Sequence, residues 1–493
     1  MTANPSTAII GAGPGGLTLA RILHMRGLDA TVFDRDSHAL CRPQGGSLDM
    51  HEQTGRRALR LAGLDSAFNE LARYGDQGSK AYAPDGTLLY AEANLDGDRP
   101  EIDRTQLRQL LLHSLPDSAL RWGERVERVE PQTDDRHAVI SNGKLAGTFD
   151  LVVGADGAWS NVRPTLSDAV PVYENVTVVE LGIDRIDERF PELASIVGNG
   201  KFFAKGSGRA MGAQRSSNSH IRVYAFLRAE QPLSVDTADS RPFIERLLKE
   251  FSDFSPELLR FFEVANLLAA RPLHALPVGH RWANHPGLTL IGDAAHLMSP
   301  FGGEGANGAM ADAADLGVAI TSGRDWRQAI EAFETIMFDR AEKAARIAAQ
   351  GLQGIVAEKQ NGRSESYQSL RKKAMNGSLI GTQRITLPDF FARRVAECTR
   401  DTALQQQLAA VVRFDISGEA GGSWIVDFRK GSAGVRRGDD VVDHVVSMGD
   451  EDFLALIDGR FSPQSAFLSG KLKFQGPLSF ATKLSGFLER LKV

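Results

Sequence analysis

Residues 288–307 read LTLIGDAAHLMSPFGGEGAN, and this stretch decides the fold. The apolar run 288–291 predicts a buried strand that stops at Gly292-Asp293. Pro300 and the glycines at 302, 303 and 305 predict a turn whose backbone, rather than its side chains, faces a ligand. From Gly308 onward apolar residues recur at helical spacing, and the start of such a helix offers free amide donors to an electron-rich group. The stretch therefore predicts a carboxylate, a bare backbone wall and a helix N-terminus around one ligand.

Length, composition and charge narrow the class of protein. A chain of 493 residues exceeds what one core usually serves, so two or three domains are expected. With 42% hydrophobic and 24% charged residues the composition is globular, and the net charge of −5 argues against a nucleic-acid partner. Cys41 and Cys398 have no metal-ligand spacing and favour a reducing cytoplasm. No basic signal-peptide segment and no apolar run of membrane-spanning length is visible, so a cytoplasmic protein without a metal or a transmembrane segment is expected.

The N-terminal segment carries the first glycine motif. A short apolar strand, residues 7–10, runs into Gly11, Gly13 and Gly16, and a helical apolar stripe follows. A second strand ends at Asp34, eighteen residues after Gly16. In this context the glycines admit a pyrophosphate to the helix N-terminus, and the acid accepts hydrogen bonds from ribose hydroxyls. The alternative is an ordinary strand–turn–helix with a surface Asp.

Three further segments carry candidate ligand contacts. Arg42 and Asp49 lie in a glycine-rich loop and fit a solvated loop pair equally well. Arg104 follows the expected N-cap Asp103, and is either an exposed first-turn Arg or a phosphate or flavin contact. A third buried strand ends at Asp156-Gly157. Three strands that end in such turns predict a doubly wound sheet with its ligand across the carboxyl ends.

With these motifs in place the chain resembles the class A flavoprotein monooxygenases of the para-hydroxybenzoate hydroxylase type, and most of all their tetracycline-inactivating branch. The resemblance covers about residues 6–355 and depends on the glycine motif, the Asp-Gly motif at 154–163, and Gly292-Asp293 with the turn at 300–307. It implies an α/β FAD-binding domain with a doubly wound sheet of the glutathione-reductase type. This domain is expected at residues 1–165 and 270–360, with an inserted β-rich substrate domain at 166–269.

The resemblance also implies the residues that bind the cofactors. Asp293 would bind the ribityl hydroxyls of FAD, and the turn up to Asn307 would line the flavin ring. Arg42 falls on an arginine that the tetracycline branch uses near the nicotinamide. The family usually has Glu-Arg where this chain has Asp34-Arg35, and the shorter acid should still reach a ribose. The full expected set is Gly11, Gly13, Gly16, Asp34, Arg35, Arg42, Asp49, Arg104, Asp156, Asp293, Pro300, Gly303, Gly305 and Asn307.

The middle of the chain predicts the substrate sheet. Every second residue from Ile221 to Leu227 is apolar, whereas those between, from His220 to Phe226, are polar or aromatic. A sheet with one apolar and one mixed face suits the roof of a substrate pocket, and the alternative is an amphipathic sheet that faces water. The expected substrate contacts are Gln214, Arg222 and Tyr224.

The tail, residues 380–493, follows a polar linker at 361–379 and resembles the sterol-carrier-protein type of lipid-binding domain. Three strands are predicted between residues 411 and 447, then an acid-capped helix from Asp450, the strand Gly470-Lys-Leu-Lys-Phe474 and a closing helix from Pro477. Such domains hold hydrophobic molecules between sheet and helices, so an α+β fold with a lipid-like ligand is expected. The alternative is a tail that has lost its cavity and serves as a lid or in dimerisation.

The side chains include no nucleophile elbow, zinc spacing or Walker loop, which is typical of an enzyme whose cofactor carries the chemistry. The resemblance implies that NADH or NADPH reduces FAD, and that a C4a-hydroperoxyflavin passes one oxygen atom of O2 to a bulky apolar aromatic or polyketide-like substrate. No side chain is assigned as acid or base. The rivals are a flavin reductase or halogenase on the same fold, and a lipid carrier with a structural flavin unit. The halogenase requires Trp-x-Trp-x-Ile-Pro, which the five tryptophans never form.

Overall fold

The chain divides into two compact units, residues 1–374 and 375–493, in the computed structural model. The structure describes residues 4–42, 44–92, 99–323, 325–356, 387–418, 421–457, 472–476, 480, 484, 487, 488 and 491. The predicted linker at 361–379 lies outside the described residues, and so does most of the predicted closing helix after Pro477.

The described strands of the first unit form two large and two small sheets. They are β1 (Thr7–Ile10), β2 (Ala30–Asp34), β3 (Ser47–Asp49), β4 (Gly78–Tyr82), β5 (Leu88–Glu92), β6 (Glu101–Asp103), β7 (Leu120–Trp122), β8 (Val126–Pro131), β9 (His137–Ser141), β10 (Lys144–Phe149), β11 (Leu151–Gly154), β12 (Val172–Ile183), β13 (Gly200–Lys205), β14 (Arg209–Arg215), β15 (Ile221–Arg228), β16 (Asn266–Ala275) and β17 (Leu288–Leu290). Strands β8, β9 and β10 form one small antiparallel sheet, and β3 and β6 form the other.

A five-stranded parallel sheet has the order β17-β11-β1-β2-β7. Strands β1, β11 and β17 are buried along their whole length, as apolar runs are in a parallel sheet covered by helices. These three strands are neighbours, and each runs into one of the three glycine-bearing motifs. The predicted doubly wound α/β sheet is therefore confirmed.

The described helices of the first unit lie around this parallel sheet and on one face of a second, seven-stranded sheet. They are α1 (Pro14–Met25), α2 (Arg57–Leu61), α3 (Asp65–Leu71), α4 (Arg104–His113), α5 (Ile186–Arg189), α6 (Pro191–Val197), α7 (Arg241–Glu250), α8 (Pro256–Val264), α9 (Asp293–His296), α10 (Glu304–Ile320) and α11 (Trp326–Ile355). None of the helices in the described ranges has the length and apolar character that crossing a bilayer requires.

Helix α10 begins at Glu304, four residues before the predicted start, so that part of the prediction was wrong. Its N-cap is Gly303, which has φ +72° in the left-handed region. The glycines at 305 and 308 hid the start, because they interrupt the apolar periodicity without breaking the helix. Gly305 therefore lies in the first helical turn rather than in the preceding loop.

The second large sheet has seven strands in the order β16-β12-β15-β14-β13-β4-β5. It takes β4 and β5 from residues 78–92, before the predicted insert. One face packs on α6, α7 and α8 around an apolar cluster that includes Phe202, Val223 and Ala225. The opposite face carries Arg222, Tyr224 and their neighbours, as the alternation along β15 predicts.

The second unit combines one mixed sheet with short helices. Its described helices are α12 (Leu387–Phe390), α13 (Ala396–Cys398), α14 (Thr402–Leu408) and α15 (Asp450–Ile457). Its strands are β18 (Val411–Ser417), β19 (Gly422–Asp427), β20 (Gly434–Arg437), β21 (His444–Gly449) and β22 (Lys473–Gln475). The sheet order is β20-β19-β18-β21-β22, with only the β18–β21 pair parallel among the described strands. The predicted α+β character of the tail is confirmed.

Candidate functional site

The first motif (Gly11–Gly16) and the second motif (residues 154–163) meet at the ends of the neighbouring strands β1 and β11. Gly11 has φ +113°, and a Cβ there would lie 2.3 Å from the backbone oxygen of Ala155. A Cβ at Gly16 would lie 2.1 Å from the backbone oxygen of Gly11. Gly13 differs, because no described atom lies within 4 Å of its Cβ position. Backbone contact explains the glycines at 11 and 16, whereas Gly13 faces open space at the start of α1, where a phosphate can approach.

The third motif, which is Gly292-Asp293 with the turn at 300–307, contacts the first motif through helix α10. A Cβ at Gly15 would lie 3.0 Å from the backbone oxygen of Ala309, and one at Gly292 would lie 2.8 Å from the Ala309 Cβ. Both glycines are thus required by close packing against the same residue. The three motifs, which are far apart in sequence, therefore lie against one another.

Asp34 lies at the end of β2 beside the first glycine turn. Its Oδ2 accepts the Ala12 N–H at 2.7 Å, and its Oδ1 accepts the Asp36 N–H at 2.8 Å. These bonds fix the carboxylate where a ribose hydroxyl would reach it, although its contact with ribose stays a prediction. Arg35 is exposed next to it.

Two arginines converge on Asp36, and sequence reasoning missed one of them. Arg42 Nε lies 2.9 Å from Asp36, so the structure puts Arg42 beside the end of β2. Buried Arg108 donates to Asp36 at 3.1 Å and to the backbone oxygens of Ala12 and Ala39. Burial raises the pKa of Asp36, but the two guanidinium groups outweigh it and hold that pKa below its ordinary value. Arg108 lies in the apolar stripe of α4, and no local pattern marked it.

Two half-buried carboxylates keep at least one oxygen without a hydrogen-bond donor among the described residues. The carboxylate of Asp293, at the start of α9, accepts no hydrogen bond from a described residue. Burial raises its pKa, and the nearby charge of Asp312 adds to the rise, whereas His296 and Arg104 oppose it. Asp156 accepts the Asn161 N–H at 2.7 Å through Oδ2, but its Oδ1 is buried without a partner, and burial raises its pKa. Such groups are costly unless a ligand supplies donors, and a hydroxyl-rich cofactor fits both positions.

Hydrogen bonds from the side chain of Asn307 fix the turn at residues 300–303. Its buried amide donates to the backbone oxygens of Gly303 at 2.9 Å and Asp49 at 2.8 Å, and accepts the His51 N–H at 3.0 Å. Pro300 is exposed at the start of the turn and accepts the Gly303 N–H at 3.2 Å. Asn307 therefore braces the turn against β3, and its contact with a flavin ring stays a prediction.

His51 also contacts Asn307 beside this turn, and the sequence did not predict its role. Its Nδ1 lies 3.0 Å from Glu304, and its Nε2 lies 3.5 Å from Asp49. Burial lowers the pKa of His51, but the two carboxylates outweigh it and raise that pKa above its ordinary value. No motif marked His51, because the partners come from distant segments.

The mixed face of the seven-stranded sheet closes over the glycine-rich loop at 45–46. A Cβ at Gly46 would lie 2.8 Å from the Tyr224 hydroxyl and 3.2 Å from Arg222, and one at Gly45 would lie 3.2 Å from Arg104. Arg222 forms an ion pair with Glu180 at 3.0 Å. Burial raises the pKa of Tyr224 to about 12. Gln214, the third predicted substrate contact, donates to buried Glu101 at 2.8 Å.

Comparison with known proteins agrees with this geometry. The family model described as "FAD binding domain" matches residues 5–346, and the "SCP-2 sterol transfer family" model matches residues 392–489. The chain is 33% identical over 402 residues to monooxygenase penA of Penicillium thymicola, a match that covers 69% of this chain and 93% of penA. It is 32% identical over 369 residues to monooxygenase asqM of Emericella nidulans, covering 63% of this chain and 82% of asqM.

The crystal structure of the tetracycline destructase Tet(51) has the same fold as the first unit. It superimposes with a TM-score of 0.58 at 17% identity, over 78% of this chain and all of that one. The match to an FAD-binding family model over most of the chain, together with the two monooxygenase relatives, establishes the family. The chain belongs to the FAD-dependent monooxygenases of the FAD-binding-domain family and carries a C-terminal SCP-2 sterol transfer domain.

Proposed function

We propose that the protein uses NADH or NADPH, through FAD, to insert one oxygen atom of O2 into a bulky, apolar aromatic or polyketide-like substrate. The observation that carries the proposal is the position of Arg104. A Cβ at Gly45 would lie 3.2 Å from Arg104, and one at the adjacent Gly46 would lie 2.8 Å from the Tyr224 hydroxyl on the mixed face of the sheet. The charge of Arg104 also opposes the rise in the pKa of Asp293, in the third motif. The ribityl end of the cofactor site and the substrate roof would thus lie around one guanidinium group.

The residues of this chain would bind and orient FAD. The turn at Gly11–Gly16 admits the pyrophosphate to the start of α1, Asp34 accepts from ribose hydroxyls, and Asp293 accepts from the ribityl hydroxyls. Arg35, Arg104, Asp156 and Asp49 complete the proposed cofactor contacts, and Arg42 is the proposed nicotinamide contact. Each of these roles is a proposal that site-directed variants can test.

Bound FAD would supply the redox chemistry, since none of the side chains assigned here carries electrons. In the overall reaction, reduced nicotinamide, a proton, O2 and substrate give oxidised nicotinamide, water and a substrate that has gained one oxygen. The protein would exclude water and position the substrate. Phe226 packs against Phe301 with ring centroids 5.4 Å apart, which joins the roof directly to the turn beneath it. Gln214, Arg222 and Tyr224 would contact the substrate on this face.

Three measurements on the full chain test the function. Purified protein should be yellow or become so when FAD is added, and should consume NADH or NADPH faster when a substrate is present. A library of aromatic polyketides incubated under ¹⁸O2 should yield one product heavier by a single labelled oxygen. A colourless protein that cannot be reconstituted would overturn the proposal, and so would a slow oxidase rate that no compound changes.

For the tail we propose binding of a lipid-like hydrophobic ligand, on the strength of its sterol-transfer family match. Displacement of a fluorescent fatty acid from the full chain tests this. Absence of binding would favour the alternative that the tail serves as a lid or in dimerisation. We also propose the cytoplasm as the compartment, because Cys41 and Cys398 are not joined in a disulfide.

A further inference from the structure

His51 lies against the turn that is proposed to line the flavin ring. Its side chain is only 8% exposed. A Cβ at Gly303 would lie 3.3 Å from His51 Nε2 and 3.2 Å from Asp49 Oδ1. The backbone N–H of His51 donates to the side chain of Asn307 at 3.0 Å, in the first turn of α10. The imidazole is therefore packed between the end of β3 and the start of α10.

Two acids flank this turn, and both pair with the imidazole. Glu304 is the first residue of α10 and is half-buried, and its Oε1 lies 3.0 Å from His51 Nδ1. Asp49 ends β3, and its Oδ2 lies 3.5 Å from His51 Nε2. Asp49 also pairs with Lys201 at 3.8 Å, whereas Glu304 has His51 as its only cationic partner among the residues that the structure describes. The charge of Glu304 is thus offset by His51 alone within that part of the chain.

The two ring nitrogens of His51 have different surroundings. Nδ1 faces the Glu304 carboxylate, which only accepts hydrogen bonds, so Nδ1 carries a hydrogen. Nε2 lies between Asp49 and the Nη1 atom of Arg99, which is 3.4 Å away, and is therefore the nitrogen that titrates. Burial lowers the pKa of His51, but the two acids outweigh it and raise that pKa above the ordinary value of 6.5. Glu304 has a donor in both protonation states of the ring, and a positive charge beside it in the protonated one.

The charge of Glu304 bears on the reduction of the cofactor. In the proposed reaction NADH or NADPH transfers a hydride, which is two electrons and one proton, to FAD and leaves as oxidised nicotinamide. This transfer adds one negative charge to the cofactor. The proposed flavin contacts Gly303 and Gly305 flank Glu304 in the chain, so a carboxylate there without a cation would oppose the added charge. A cation paired with Glu304 offsets this repulsion.

We propose that His51 is a positioning residue for flavin reduction, which pairs with Glu304 and Asp49 beside the flavin turn and thereby favours the reduced form of the cofactor. This rests on the proposed function, because it requires FAD at that turn. His51 acts through the two acids rather than by contact with the reacting atoms. The sequence motif supplies the turn, and a histidine from a distant segment sets the charge beside it.

The midpoint potential of FAD bound to the full chain tests the role of His51. At pH 6, His51→Gln should lower that potential by about 30 mV, which corresponds to a tenfold loss of affinity for reduced relative to oxidised FAD. In a Glu304→Gln background the same substitution should have a clearly smaller effect, because one of the two acids is already neutral. A merely structural role would weaken both redox forms of FAD alike and leave the potential unchanged.

The effect of His51 on the potential should shrink as the pH rises. The ring is charged below pH 6.5, and this charge is lost as the pH passes through the raised pKa. The difference in potential between wild type and His51→Gln should therefore be larger at pH 6 than at pH 9. Arg99 keeps its charge over this range. Lys201 and Glu101 interact with Asp49 and are present in both proteins, so the difference removes their own titration.

Glu52→Gln is the matched control. Glu52 is adjacent to His51 in the chain, but its carboxylate pairs with Arg60 at 2.8 Å, so its neutralisation should leave the potential unchanged. His51→Asn is the second variant, and a variant that binds FAD weakly is titrated with oxidised and with reduced FAD under anaerobic conditions, which gives the same affinity ratio. An unchanged potential, or equal shifts with and without Glu304, overturns the role of His51 and leaves the monooxygenase proposal standing. A wild-type chain that binds no FAD overturns both.

Discussion

The Nε2 atom of His296 lies 2.6 Å from Oδ2 of Asp312, directly beneath the turn that follows β17. Asp312 also accepts the backbone N–H of Gly292 at 2.9 Å and a guanidinium N–H of Arg340 at 2.8 Å. One buried carboxylate therefore links the end of β17 to helices α9, α10 and α11. The position of the third motif depends on this ionic cluster as well as on its own glycines.

Asp312→Asn should destabilise the first unit by about 3–5 kcal/mol, because it leaves His296 and Arg340 with an incompletely paired buried charge. The free energy of unfolding in urea, with and without FAD, measures the loss. Asp315→Asn is the control, since Asp315 also pairs with Arg340 but is partly exposed. Equal losses in the two variants would contradict a special role for Asp312.

The stabilisation contributed by His296 should fall as the pH rises. Burial lowers the pKa of His296, but Asp312 outweighs it and raises that pKa above the ordinary value of 6.5. A raised folded-state pKa gives stability that is fully present below 6.5 and is lost as the pH passes through the folded value. The unfolding free energy of wild type minus that of His296→Gln should therefore shrink above neutral pH. A difference that does not change between pH 6 and pH 9 would contradict the ion pair.

The sequence predicted the elements that follow from local residue patterns. It did not predict the contacts between residues from distant parts of the chain. The parallel strands, their glycine turns and the alternation along β15 all follow from residue periodicity within short windows. Arg108, Glu101 and Asp312 were missed because each lies in an apolar or unremarkable segment, and its partners come from elsewhere in the chain. Asp103 shows the same limit: it occupies the predicted N-cap position, but its carboxylate bonds to Ser47 and Ser217 instead of capping α4.

Gly11→Ala and Gly13→Ala should fail in different ways. A methyl group at Gly11 would overlap the backbone of Ala155 and force a strained φ, so Gly11→Ala should lower the unfolding free energy by more than about 1 kcal/mol. A methyl group at Gly13 meets no described atom, so stability without FAD should be retained while FAD affinity falls because the pyrophosphate is obstructed. Melting temperatures of the apo protein and FAD dissociation constants separate the two effects. Tight FAD binding by Gly13→Ala would contradict the proposed pyrophosphate position.

Asp293→Asn should weaken FAD binding without destabilising the apo protein. The carboxylate is half-buried and its pKa is raised, so in the apo protein a neutral amide removes an unfavourable charge. With FAD bound, the loss of charge-assisted hydrogen bonds should cost about 1.5–3 kcal/mol, or roughly 10- to 100-fold in affinity. Apo melting temperature and FAD titration give the two readouts. A variant that retains full FAD affinity would show that Asp293 does not hold the ribityl chain.

Phe391→Ala should destabilise the tail and leave FAD binding unchanged. Phe391 is fully buried and stacks on Trp424 with centroids 4.3 Å apart, so its removal should cost the second unit about 3–5 kcal/mol. Each of the two compact units has its own apolar cluster among the described residues, so we expect separate unfolding transitions. Calorimetry should show the tail transition shifted downwards, while the temperature of flavin release stays constant. The control Phe333→Ala, in the core of the first unit, should shift flavin release instead.

A chain that ends at residue 374 should still bind FAD, because every proposed cofactor contact precedes that point. Loss of flavin on truncation would mean that the first unit depends on the tail for its fold.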